Sequence, residues 1–298
     1  MKTVVAAFWL SAACLLSGCI GSPLPLTEQA AGQLRHVPPV RFVLTFDDGP
    51  SGSGFYNPTE QVLDGLADNP VQAGIKAVFF VQTGAIGGGR TETGRELMRR
   101  EGREQHILGF HSATPRHTNH RSLSPEVLEQ SLTDGLYVIQ AQTGQQATLV
   151  RPPFWNYDQR TFAAYQRHGL HVLLTDLSAN DGKIWGFNMS PRRRAHFLRE
   201  MSLVRERIVR GELSAVEGAT PVVVTFHDIN RYSARHVQEY LQILIDSARQ
   251  TGVPLASKPF YDNPAELQRA AMARTVQDGQ SIVHLPGLWD WVWDQNGH

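Results

Sequence analysis

The chain has 298 residues, 41% hydrophobic and 19% charged, with 26 Gly and 17 Pro. That length suits one large domain or two modest ones, and the composition is globular, neither disordered nor collagen-like. Lys plus Arg and Asp plus Glu both number 28, so no basic excess recommends nucleic acid as a partner. No apolar run reaches the ~20 residues that span a bilayer, which excludes a multi-span membrane protein. The two cysteines, Cys14 and Cys19, both precede the folded body, which therefore has neither disulfides nor thiolate metal sites.

The N-terminus reads as an address. Met1-Lys2-Thr3 is a short positive start, and residues 4–16 are apolar, too short to span but right for a secretory signal. Leu16-Ser17-Gly18-Cys19 resembles a bacterial lipobox, in which cleavage before Cys19 exposes it for lipidation. Acyl chains on Cys19 would anchor the protein to a membrane, each buried CH₂ contributing about 0.8 kcal/mol. Ile20, rather than Asp, follows the cysteine. The expectation is a cell-envelope lipoprotein, on the outer membrane facing the periplasm in a Gram-negative cell. Residues 1–18 are then the signal peptide and 19–39 a polar, Pro- and Gly-containing tether.

From residue 41 short apolar runs alternate with helical patterns. Strands are expected at 41–46, 76–81, 107–110, 148–151, 171–175, 222–227 and 255–258. Helices are expected at 59–67, 91–103, 124–143, 158–168, 191–209 and 233–251. Ser124-Pro125 and Ser190-Pro191 each place a capping serine before a first-turn proline. Strand–helix alternation predicts an α/β fold with a parallel sheet of about seven strands, a (β/α) barrel or an open sheet. Residues 40–262 form that domain, and 263–298 leave the alternation as a C-terminal extension.

Catalytic groups of a (β/α) barrel gather at the C-terminal ends of the strands, so the strand ends carry the functional argument. The first ends in Thr45-Phe46-Asp47-Asp48-Gly49-Pro50, adjacent carboxylates that a cation would relieve. The third ends in Gly109-Phe110-His111-Ser112, followed by His117 and His120. Imidazoles with a carboxylate suit Zn²⁺ or a similar divalent ion. The fourth ends in Arg151-Pro152-Pro153-Phe154-Trp155, a guanidinium able to orient a carboxylate. The fifth ends in Thr175-Asp176, with Asp181 and Trp185 beyond, and the sixth ends in Phe226-His227. Trp155 and Trp185 are candidate sugar-stacking rings. Trp289, Trp291 and Trp293 alternate like a strand docking on the barrel, and Arg192-Arg193-Arg194 reads as a solvated helix start.

In the order of these motifs the chain resembles the polysaccharide deacetylases, the NodB-homology domain of carbohydrate esterase family four. The likeness runs from residue 41 to about 258 and implies an irregular (β/α) barrel. It implies Asp48, His111 and His117 as metal ligands, Asp47 as general base and Arg151 as its orienting partner. His227 becomes the general acid, with Asp181 or Asp176 as its carboxylate partner, and the Phe154 main-chain N–H an oxyanion donor. The departures are specific. The two histidines stand six apart where the family usually spaces them four apart, which keeps His120 as an alternative third ligand. Phe154-Trp155 replaces a Tyr-Gly pair, and Asp181 is not followed by Trp.

The resemblance implies a metal-dependent hydrolase, with zinc foremost and cobalt, manganese or nickel as alternatives, releasing acetate from an N-acetylated polysaccharide. Peptidoglycan, poly-N-acetylglucosamine and chitin-like chains all qualify. The competing readings are an O-acetyl esterase or other amidase on the same site, and a non-catalytic glycan-binding lipoprotein.

Overall fold

The computed structural model describes residues 26–182 and 193–279. The signal and Cys19, Trp185, Arg192, the Ser190-Pro191 helix start and Trp289, Trp291 and Trp293 lie outside the described residues. Eight strands are described: β1 Val40–Asp47, β2 Val78–Gln82, β3 Ile107–Ser112, β4 Leu149–Val150, β5 His171–Val172, β6 Leu177–Ser178, β7 Thr220–His227 and β8 Leu255–Phe260. They form one all-parallel sheet in the order β5-β4-β3-β2-β1-β7-β6. β1 shares one edge between two partners: Val40 and Phe42 face β8, whereas Thr45, Phe46 and Asp47 pair with Val78, Phe79 and Phe80 of β2. Among the described residues no ladder joins β5 to β6. The curled sheet is therefore an irregular (β/α) barrel with an open seam.

The strands are almost continuously apolar because both faces are covered. Their alternation still decides the site. On β1, Phe42, Leu44 and Phe46 face the outer core under the helices, and on β7 Val222, Val224 and Phe226 do the same. Val43 and Val223 face the barrel interior with Val78, Phe80, Leu149 and Leu173. The period of two then carries Asp47 and His227 to that interior face. They are register partners on adjacent strands.

Helix starts follow local capping chemistry. Asn57 accepts from Thr59 and Glu60 N–H ahead of Pro58–Ala67, Thr91 caps Glu92–Arg103, and Ser124 caps Pro125–Thr143. Asp158 and Thr161 form a reciprocal capping box for Gln159–Arg167.

Four features differ from the sequence expectations. The tether contains a helix, Glu28–Leu34, capped by Thr27 and held by buried Leu34. The helix expected at 233–251 divides at His236 into Arg231–Arg235 and Val237–Thr251. A two-residue strand, β6, falls where periodicity has too few residues to register. The extension contributes helix Pro264–Ala273, whose Leu267, Ala270 and Ala271 pack into the barrel-interior cluster. That helix belongs to the fold because the barrel would otherwise leave apolar side chains in water.

Candidate active site and metal centre

A cavity of about 440 Å³ opens at the C-terminal ends of the strands. Asp47, Asp48, His111, His117, Phe154 and His227 all line it. Its volume lies in the ordinary range for small-molecule sites, about 300–1,000 Å³.

Arg151 builds one wall from inside. It is fully buried and stacks 4.3 Å from the Phe80 ring. Its Nη1 donates to Asp47 Oδ1 at 2.8 Å and to the hydroxyls of Thr45 and Thr225. Its Nε and Nη2 donate to the carbonyls of Leu173 and Leu174, just past the end of the neighbouring β5. Burial works against the guanidinium charge, and Asp47 supports it. A carboxylate held through Oδ1 in this way keeps Oδ2 for chemistry.

The Asp-Asp turn is tightly made. Asp48 takes a left-handed backbone, φ 73°. A Cβ on the next residue, Gly49, would lie 2.1 Å from Asp228 Oδ2, so only glycine fits. Thr59 Oγ1 accepts from Ser51 N–H and donates to Asp228 Oδ2 at 2.6 Å, tying the turn to the helix behind it.

Ligand atoms of Asp48, His111 and His117 lie within 4.8 Å of one another. Their neighbours orient them. His111 Nδ1 is 2.6 Å from the Arg151 carbonyl, which only accepts, so Nδ1 donates there and Nε2 is the atom turned toward Asp48 and His117. That Nε2 stands 3.2 Å from Asp48 Oδ1. His117 Nε2 is 3.6 Å from the same oxygen, and it is buried without a hydrogen-bond partner. Burial lowers the His117 pKa to about 4, against the pull of Asp48. Acceptors thus converge on one point, and a second neighbour orients a ligand from outside, as metal sites require. These residues fit a divalent metal.

The structure separates the two alternatives left open by sequence. His120 is fully buried, its Nδ1 2.8 Å from Tyr165 Oη and its ring stacked on Phe110. It is a core histidine, and it stands apart from the ligand cluster. Asp181 accepts from His227 Nδ1 at 2.8 Å and from the His227 main-chain N–H at 3.1 Å. Ser233 Oγ and Asn230 Nδ2 brace Asp181 in turn. Asp176 does not reach His227. Its carboxylate accepts from Arg207, Arg274 and the Val223 N–H. Val223 lies four residues before His227, about 13 Å along a strand.

The proton on His227 Nδ1 points at Asp181, so Nε2 is the atom available to substrate. Burial would lower the His227 pKa, but Asp181, with Asp48 and Asp47, pushes it up to about 10. The imidazolium therefore persists at neutral pH. Gly182 leaves room for the ring: a Cβ there would sit 3.0 Å from His227 Cε1.

Phe154 has a left-handed backbone, φ 61°, and its ring stacks on His117 at 4.4 Å. Trp155 is buried and lines the same cavity. Arg193 and Arg194 pair with Glu239 and Asp246. Among the residues that escaped sequence reasoning is Gln82, whose Nε2 donates to Asp48 Oδ1 at 2.7 Å. It ends β2, one position beyond the expected strand. The rule of asking what each strand ends with would have found it.

Residues 35–173 match the family model for polysaccharide deacetylases. Over those residues the chain is similar to a polysaccharide deacetylase domain. The match takes in Asp47, Asp48, His111, His117, Arg151 and Phe154, and it ends before Asp181 and His227. An uncharacterized 30.6 kDa protein of Geobacillus stearothermophilus is 30% identical over 142 residues, 47% of this chain and 48% of its own. A peptidoglycan-N-acetylglucosamine deacetylase of Listeria monocytogenes is 28% identical over 194 residues, 65% of this chain and 34% of its own. The chain thus spans about half, or less, of the length of these curated relatives. The solved chitin deacetylase of the fungus Colletotrichum lindemuthianum superposes with a TM-score of 0.52 at 23% identity, over 76% of this chain and 90% of that one. At that identity the likeness is one of fold.

Proposed function

We propose that the chain is a polysaccharide deacetylase, a metal-dependent hydrolase that releases acetate from an N-acetylated glycan. One observation carries the reading: a single cavity sets Asp47 and His227, register partners on β1 and β7, beside the converging Asp48, His111 and His117. A base, an acid and a metal site then face one substrate bond.

Asp48, His111 and His117 would hold the ion, which when bound supplies Lewis acidity, lowering the pKa of water and polarising the acetyl carbonyl. Asp47, fixed by Arg151, takes the proton of the attacking water. The Phe154 main-chain N–H is assigned to the developing oxyanion. His227 Nε2–H protonates the departing amine while Asp181 holds the opposite ring nitrogen. An acid of this kind is what an amide requires, because an amine anion is a very poor leaving group.

Zinc is the ion proposed, since imidazole and carboxylate donors suit it, though cobalt, manganese and nickel accept the same set. Peptidoglycan, poly-N-acetylglucosamine and chitin-like chains are the substrate class. We also propose anchoring in the cell envelope through lipidated Cys19, supported by Lys2, the apolar residues 4–16 and the Leu16–Cys19 sequence. The described residues contain no helix long and apolar enough to cross a membrane.

The test is acetate release from chitin oligomers and peptidoglycan, with metal stripped and then Zn²⁺, Co²⁺ or Mn²⁺ restored. Metal-dependent acetate is expected. Binding of those glycans without acetate under any metal would turn the reading to a glycan-binding lipoprotein.

A further inference from the structure

Seven large apolar side chains are strongly exposed among the described residues, and four of them, Phe55, Tyr56, Ile86 and Phe154, sit on loops at the cavity end of the barrel. Ile86 and Phe154 line the cavity itself. Phe55 and Tyr56 do not. They are 74% and 67% exposed, yet they are mutually ordered, edge to face, with ring centroids 4.4 Å apart.

The loop that carries them is built rather than slack. Asn57 Nδ2 donates to the carbonyls of Ser51 and Ser53, and Ser53 Oγ donates to the Phe55 carbonyl. Gly52 N–H donates to the Gly87 carbonyl at 2.8 Å, where a Cβ on Gly52 would be 2.7 Å from the same oxygen. Ser51 and Gly87 both line the cavity, so this loop and the Ile86 loop form one continuous rim. Tyr56 holds φ 48°, a left-handed backbone unusual for a bulky residue. Strain of this kind persists only where the surroundings impose it, and it clusters at ligand-contacting loops. Two rings are thereby presented to water, a few residues from the reaction cavity.

We propose that Phe55 and Tyr56 are a sugar-stacking platform that takes a further residue of the glycan chain, outside the cavity where the acetyl group is cleaved. The inference rests on the proposed function and extends it, making the enzyme one that grips a chain rather than a single sugar. A pyranose offers an apolar C–H face that gains by leaving water against an aromatic ring. Tyr56 adds a hydroxyl, and Ser51 and Ser53 add more, for the sugar's own hydroxyls. Residues 49–57 contain no Lys or Arg, so the loop lacks the charge that draws a basic patch to an anionic lipid surface.

The experiment compares kcat/KM for acetate release from glycans of increasing length. Chito-oligosaccharides and peptidoglycan strands of one and of several disaccharide units serve as probes, with the wild type, the Phe55→Ala/Tyr56→Ala double variant and Phe55→Trp. Half-burying two rings corresponds to about a tenfold effect. The long-to-short ratio of kcat/KM is expected to fall about tenfold in the double variant and to be kept by Phe55→Trp. An unchanged ratio in a double variant that still turns over would overturn the platform and leave the deacetylase reading standing. No acetate from any of these glycans with the wild type, metal restored, would overturn both.

Discussion

Arg151→Met removes the guanidinium around which the site is built, and its cost follows from the contacts. At the observed 2.8 Å from Asp47 and an effective dielectric of ~20, the Coulomb attraction is about 6 kcal/mol. Desolvation of two buried ions, several kcal/mol each, offsets most of that. Deleting one partner is different, because Asp47 stays buried with its charge unpaired and the Leu173 and Leu174 carbonyls lose their donors. Breaking a buried pair in this way costs about 3–5 kcal/mol. For a domain of this size that corresponds to a Tm fall of roughly 10 °C. Chemical denaturation of the metal-free protein reads it directly, in a double-mutant cycle with Asp47→Asn. A coupling energy of at least ~2 kcal/mol is expected. A loss under about 1 kcal/mol, or additivity within ~0.5 kcal/mol, would refute the view that this pair organises the barrel interior.

The histidine assignment is checked by metal titration: His117→Ala loses affinity by tenfold or more, whereas His120→Leu keeps the metal and lowers the melting temperature, since it breaks the contact with Tyr165. His227→Ala is expected to slow amide substrates far more than activated acetyl esters, and equal losses on both would remove the acid role. Glu101 supplies a pH test of stability. It is fully buried with no hydrogen bond to either carboxyl oxygen, and burial, with Asp228 and Glu104, raises its pKa well above 4.5. Below that unfolded value both states are protonated and Glu101 adds no pH dependence. As pH rises the folded state holds the proton longer, so stability falls by up to about 1.4 kcal/mol per pH unit until the folded pKa is passed. Glu101→Gln should therefore be more stable than wild type at pH 8, with the gap closing toward pH 4.5; parallel stability curves would contradict the assignment.

Much of the site was legible because strand ends are legible. An apolar run that stops at Asp47, His111, Arg151 or His227 announces a barrel strand delivering a polar group, and the period of two decides which side chains turn inward. The same reasoning stopped one residue short at Gln82 and had no purchase on Thr59 or Asp228. Those act through contacts between segments more than 160 residues apart in the chain, as between Thr59 and Asp228.

Sequence by itself determined the alternating α/β architecture, the strand ends that matter and the donor types of the candidate metal site. Those depend on local periodicity, on capping and on side-chain chemistry, each readable within one segment. Tertiary structure decided between His117 and His120, and between Asp181 and Asp176. The members of each pair are near neighbours in sequence and share a residue type, so nothing local distinguishes them. His120 is taken by Tyr165 in the core and Asp176 by Arg207 and Arg274, which leaves His117 at the cavity and Asp181 behind His227. The helix Pro264–Ala273 was settled the same way: only the curled sheet creates the apolar interior that Leu267 and its neighbours fill.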